Sequence, residues 1–233
     1  MEGSENGWTE VRAKGNLTIL ADGLAQQESR VLAAAASFGL IAAAAAGTVS
    51  ENEMGALVDA YISSAEVQLT GANTTVSIKA NSAQESHARA DALSVSSGAS
   101  MGFAAAMSQD VSIVRAGLGA NTKVVAPILS IDADSVDNLF QQSTASSGGL
   151  FAGLAGAYSK VAISGRAEVL LGDDSQITVS TLDLSATRTQ NFDATDFNVA
   201  VGALAGSGAV MVSDLSGSAD VEIGERVNVL AGG

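Results

Sequence analysis

Aspartates are the side chains of this sequence most able to do chemistry. Asp132, Asp134 and Asp137 fall in one short stretch, Asp173 and Asp174 in a second, and Asp193 and Asp196 in a third. Calcium takes several hard oxygen ligands, and aspartates spaced around a corner of the chain could supply them. Ca2+ is therefore the one cofactor the sequence suggests. Neither the spacing of a calcium hand nor the glycine-rich nonapeptide of calcium β-rolls is present, so the acidic stretches are expected to be solvated and no residue is assigned as a metal ligand. Two carboxylates about 5 to 10 Å apart could also cleave a glycosidic bond. The aromatics that would platform a sugar are scarce, with one Trp, two Tyr and six Phe, and that reaction is not expected either.

The other reactive groups stand alone. His87, in Gln84-Glu85-Ser86-His87-Ala88-Arg89, is the only histidine, so neither a zinc pair nor a Ser/His/Asp set can be assembled around it. Its expected role is that of a solvated strand residue. Gly-x-Ser-x-Gly does not occur, and Gly202-Ala203-Leu204-Ala205-Gly206-Ser207-Gly208 lacks the lysine of a phosphate loop. Cysteine is absent, which removes disulfides, thiolate metal sites and thiol nucleophiles. No catalytic or cofactor-binding residue is expected, and the chain is not expected to be an enzyme.

Composition narrows the partners. Among 233 residues, 25 acidic against 11 basic side chains give a net charge of −14, which disfavours nucleic acid and anionic lipid. The apolar 47% is mostly Ala and Val, with 25 glycines and a single proline, Pro127, so any core is thin. The first seven residues, MEGSENG, are acidic and polar where a secretory signal would be basic and then apolar.

These residues are carried on a repeat. Leu17-Thr18-Ile19-Leu20-Ala21, Val76-Ser77-Ile78-Lys79-Ala80, Leu129-Ser130-Ile131-Asp132-Ala133 and Leu182-Asp183-Leu184-Ser185-Ala186 share one pattern, and their alanines are 59, 53 and 53 residues apart. So regular a recurrence marks stacked copies around one core. The expected organisation is a single domain over 1–233: a partial repeat 1–22 that includes Trp8, full repeats 23–81, 82–134 and 135–187, and a truncated repeat 188–233. Start and end fall at one phase of the repeat, as expected of a piece of a longer array or, as the alternative, of a subunit that joins head to tail into a fibre.

Within a repeat the period is two. From Phe151 to Leu171 the odd positions are mostly small or apolar, while Tyr158, Lys160, Arg166 and Glu168 are even; Val199, Val201, Ala203, Ala205, Ala209, Met211, Leu215, Ala219, Val221 and Ile223 repeat the odd face. Asp110 and Arg115 disturb the alternation between Phe103 and Leu118, which predicts a β-bulge. Gly71-Ala72-Asn73-Thr74-Thr75 reads as a longer corner. The apolar run 31–50, VLAAAASFGLIAAAAAGTVS, would by itself suggest a helix or a membrane span, but its sister segments carry Gln109, Asp110, Tyr158 and Lys160, so strand is expected and membrane insertion is not. The fold class predicted is all-β, a flattened parallel β-solenoid of about four repeats of 53–59 residues, with one coil per repeat or, as the alternative the period does not separate, two coils of about half that length. Severed coils would leave strand edges open to pairing with neighbouring repeats or with end-to-end copies of the chain.

Ala60-Tyr61-Ile62-Ser63-Ser64-Ala65-Glu66-Val67 followed by Val76-Ser77-Ile78-Lys79-Ala80, with the Ala/Gly runs between such segments, resembles the repeats of giant bacterial filamentous adhesins of the leukotoxin and filamentous-haemagglutinin type. The resemblance covers nearly the whole chain through small-residue alternation rather than fixed identities. It implies an extracellular or cell-surface location and a structural stalk, with no catalytic residue to carry over. The alternative function is a surface-recognition module that binds glycan or a cell-surface protein through a flat strand face.

Overall fold

A computed structural model describes residues 9–39 and 41–232; Trp8 and the acidic residues 1–7 lie outside them. Among the described residues there are fifteen strands, numbered in chain order, and no helix, hence none long and apolar enough to cross a membrane. The strands form three sheets. The long sheet holds β2 (Leu17–Ser37), β6 (Thr75–Ser96), β9 (Lys123–Gly149) and β12 (Gln176–Val201), extended by the short β1 (Thr9–Ala13), β5 (Ala65–Leu69) and β15 (Asn228–Ala231). The middle sheet is β3 (Ala43–Met54), β7 (Ala99–Asp110), β10 (Ala152–Ile163) and β13 (Leu204–Leu215), and the short sheet is β4 (Leu57–Ile62), β8 (Ile113–Leu118), β11 (Arg166–Leu171) and β14 (Ser218–Ile223).

Every pairing is parallel and in register. The chain runs along the long sheet, turns, and returns along the middle and then the short sheet, which together face the long one. Each circuit adds one rung to each sheet, the rung of the long sheet being split into a short and a long strand in the first two circuits (β1 with β2, β5 with β6), an arrangement consistent with a β-solenoid. The closing alanines of the repeat stack as Ala21, Ala80, Ala133 and Ala186, and Val169 lies beside Val221. Stacking of this kind satisfies interior amides and carbonyls with the strands above and below. Within the run 31–50, residues 31–37 end β2 and residues 43–50 open β3.

The interior changes along the circuit. Between the long and short sheets it is aliphatic: Val76, Ile78, Leu129, Ile131, Val114, Leu118, Val169, Leu171 and Ile177 form one fully buried cluster. Between the long and middle sheets it is made of Ala88, Ala90, Ala92, Ala104, Ala106 and Ala145, joined by a polar ladder in which Ser50 Oγ donates to the Ser29 carbonyl at 3.0 Å and Asn52 Nδ2 to Ser86 Oγ at 3.1 Å; toward the short sheet a second small aliphatic cluster, Met54, Leu139, Val161 and Ile163, is buried there as well. Small side chains let the sheets converge. At Gly102, on the inward face of β7, a Cβ would stand 2.7 Å from the Ser146 carbonyl oxygen of the opposite sheet. At Gly153 one would stand 2.5 Å from the Val201 carbonyl. The section is therefore a wedge, thick at the aliphatic end and closed by glycine at the other.

Three expectations are corrected. The offset between β7 and β10 is 53 residues and stays 53 between β8 and β11, so no bulge separates Phe103 from Leu118. Asp110 is simply inward and buried, while Arg115 is outward and bonded to Glu168 at 2.7 Å. The extra residues around Gly71 do not lengthen a corner. They interrupt the long sheet itself: Gln68 pairs with Val125 and Thr75 with Ile128, seven residues against three. Pro127 lies at that interruption, where the amide it lacks has no partner to lose. Finally, Val199 and Val201 belong to β12, whose inward residues from Leu182 onward are even-numbered, so they face outward. The inward parity changes at the corner before β13.

Candidate functional site

The structure disperses the aspartates that the sequence groups. Asp132, Asp134 and Asp137 lie on the single strand β9, not in a corner. Strand alternation puts the first two on the outer face, with Asp132 3.3 Å from Lys79, and the third inside. Asp173 and Asp174 do share a corner. Both are committed there, Asp174 to Arg226 through two bonds of 2.6 and 2.8 Å, and Asp173 to the Glu225 amide at 2.7 Å. The exposed Asp174 carboxyl is held below its ordinary range by the Arg226 hydrogen bond. Asp193 and Asp196 are on β12, again not in a corner, and Asp196 turns inward to accept hydrogen bonds from Ser143 at 2.5 Å and from Ser159. Among the described residues no three acidic, histidine or cysteine side chains converge as a metal would need.

The corner itself is a repeated local solution. Ser64, Asn121, Asp174 and Arg226 occupy equivalent positions, each with φ between 51° and 59°. Asn and Asp tolerate this left-handed conformation better than other non-glycine residues. One residue further on, the Thr122 and Ser175 hydroxyls donate to the Gly119 and Gly172 carbonyls at 2.8 and 2.6 Å. These turns position strands rather than a reaction.

Sequence reasoning missed the most unusual charges in the molecule. At the junction of the middle and short sheets, Arg188 from β12 lies between Asp110 of β7 and Asp137 of β9, its Nη2 2.5 and 2.8 Å from their Oδ2 atoms. Its side chain is 3% exposed and both carboxylates are fully buried. Asp110 also accepts from the Ser112 amide at 3.0 Å and from its hydroxyl. One cation faces two acids. Burial first, and then the neighbouring Asp110, push the Asp137 carboxyl up to about 6, against the opposing pull of Arg188. The only signal in the sequence was Asp110 falling on an inward position of the alternation.

His87 occupies the outer face of the long sheet. Its ring stacks on Phe140 of the next strand, with centroids 4.7 Å apart and 15° between planes, and its Nε2 lies 2.7 Å from Glu85 Oε1. A groove of about 410 Å³ opens beside the pair. Register explains it. One row across the strands reads Glu28, His87, Phe140, Asp193 and the next reads Arg30, Arg89, Gln142, Thr195, so rings wall one side and guanidiniums part of the other. Arg89 is bonded to Asp91 at 2.7 Å; Arg30 has no ion-pair partner among the described residues. The arrangement can stack on a flat ligand and hydrogen-bond to acceptors. It contains no nucleophile with an activating base.

Comparison of the chain with protein families, with characterised proteins and with solved structures gives no match.

Proposed function

We propose that this chain is a structural segment, a flattened parallel β-solenoid of about four coils, from the stalk of an extracellular bacterial filamentous adhesin or surface fibre. The observation that carries the reading is the constant register. Equivalent residues of β9 and β12 pair in parallel over nearly the whole length of both strands, and a further copy of the repeat would add a further rung without a new kind of contact. Such open-ended growth is the property a fibre needs. The reading assigns the chain no catalytic step. Its partners are the adjoining repeats of a parent polypeptide or, end to end, other copies of itself.

The test is to lengthen the protein. Inserting a second copy of residues 135–187 after position 187 is expected to raise the axial dimension in small-angle scattering by one strand spacing, about 4.8 Å, with the cross-section unchanged and the circular dichroism still that of β structure. An inserted copy that loops out, or that widens the particle, rejects the reading.

A second reading rests on the groove beside His87 and Phe140. An aromatic stack next to Arg30 and Arg89 on a flat strand face suits recognition of a glycan or of a cell-surface protein. Binding of the chain to a glycan array, lost on Phe140→Ala with the fold retained, would favour recognition. A silent array would leave the stalk alone.

A further inference from the structure

The outer face of the middle sheet is the reverse of what a solvated sheet should show. Read across β3, β7, β10 and β13, its outward rows are Ala43, Ala99, Ala152, Leu204; then Ala45, Met101, Leu154, Gly206; then Gly47, Phe103, Gly156, Gly208; then Val49, Ala105, Tyr158, Val210. No charge interrupts these four rows. Met101, Phe103, Leu154 and Leu204 are about half exposed or more, and the patch runs the full height of the sheet. Charged residues return only in the next two rows, with Glu51, Lys160, Glu53 and Asp214.

From this face we infer a lateral contact between two copies of the chain, in which the middle sheets pack outer face to outer face. Three features select a second copy as the occupant. First, knobs and hollows lie side by side on one patch. Phe103 stands between Gly47 and Gly156, and a hollow of about 420 Å³ is lined by Met101, Phe103, Leu154, Gly156 and Gly206. A two-fold axis parallel to the strands, midway between β7 and β10, keeps each row facing itself and reverses strand order. It sets Phe103 of each copy against Gly156 of the other, and Tyr158 against Ala105, as a self-complementary contact requires.

Second, size is adequate and no more. Seven to nine residues at about 3.3 Å by four strands at about 4.8 Å give roughly 500 Å² per copy, about 1,000 Å² for the pair, the lower limit for a specific interface. The contact is therefore weak for this chain and grows with each added coil. Third, charge favours it. Copies carrying −14 each repel wherever their acidic surfaces approach, and a neutral face is where they can meet. The acidic border of Glu51, Glu53 and Asp214 suits an anionic bilayer poorly.

Sedimentation velocity of the full chain from about 2 to 200 µM tests the inference. The expected result is a monomer–dimer equilibrium that Leu154→Glu and Phe103→Glu each weaken at least tenfold, with the β spectrum unchanged. Since the chain has no cysteine, a single Gly156→Cys variant should be joined into dimers by a short bis-maleimide, whereas Asp220→Cys on the outer face of the short sheet should not. Should Leu154→Glu misfold, the cysteine pair decides. A monomer at every concentration overturns the inference, as does association that the face variants leave intact, which indicates end-on pairing. Capture by anionic or neutral vesicles in place of self-association overturns it too. None of these outcomes bears on the constant register behind the stalk reading.

Discussion

Between the long and short sheets the interior is aliphatic and the outer face carries ion pairs; over the half of the middle sheet farther from the short sheet the interior is alanine, serine and glycine, and the outer face of that sheet is apolar. The same chain crosses from one regime to the other within each circuit. On the first side Ile78 and Ile131 are sealed inside, and outside Lys123 pairs with Glu66 at 2.8 Å and Arg115 with Glu168. On the second side Ala104, Ala106 and Ser108 are inside while Met101 and Phe103 face out. Stability and the proposed association are thus divided between halves. Hydrophobic burial is concentrated inside one half, and the other, held mostly by backbone ladders and small-residue packing, leaves Met101, Phe103 and Leu154 free for an exterior contact.

Breaking the boundary should cost the most. Arg188→Ala removes the cation that Asp110 and Asp137 share and leaves two buried acids facing each other; a loss of about 3–5 kcal/mol is expected from denaturant unfolding. In the aliphatic half, Ile131→Ala, at a fully buried site, should cost about 2–5 kcal/mol through lost burial and a cavity. In the small-residue half the damaging change is enlargement. Gly102→Ala would press a methyl against the Ser146 carbonyl and should cost about 1–3 kcal/mol. If Ile131→Ala proves milder than Gly102→Ala, the division of labour between the halves is wrong.

The boundary also makes a pH-dependent prediction. Because the Asp137 carboxyl is raised to about 6 in the fold from an unfolded value near 3.9, its contribution is fully favourable below about pH 4 and is lost as pH rises through 6. Asp137→Asn removes that loss, so its melting temperature relative to the wild type should rise between pH 4.5 and 7.5. A difference that stays flat would mean Asp137 keeps its charge throughout. The smallest effect is expected at the corner. Ser64→Gly relieves a left-handed residue (φ 51°), and should add up to about 1 kcal/mol by thermal melting.

The period-two alternation and the recurring alanine made the stacking legible, because register is a one-dimensional property that equivalent residues report directly. Val169 beside Val221 follows from that alone. Partner choice across the sandwich did not follow. Arg188 meets Asp110 and Asp137 only when the long and middle sheets are brought face to face, and no spacing along the chain encodes the meeting. The aspartate groups failed for a related reason. Proximity in sequence places Asp134 and Asp137 on opposite faces of a strand, since an odd separation reverses the side chain. The His87–Phe140 stack was within reach, as the two are 53 residues apart, the period of the repeat.

One dimension of the circuit has a mechanical consequence. A strand of 27 residues extends about 90 Å, whereas each circuit advances the stack by about 4.8 Å and opposed sheets stand about 10 Å apart or less. A filament of the proposed kind, wound in this way, is a plank. Its flexural rigidity is large in the plane of the sheets and small perpendicular to them, so under shear it would curl across its thin direction, turning one broad side toward whatever surface it meets.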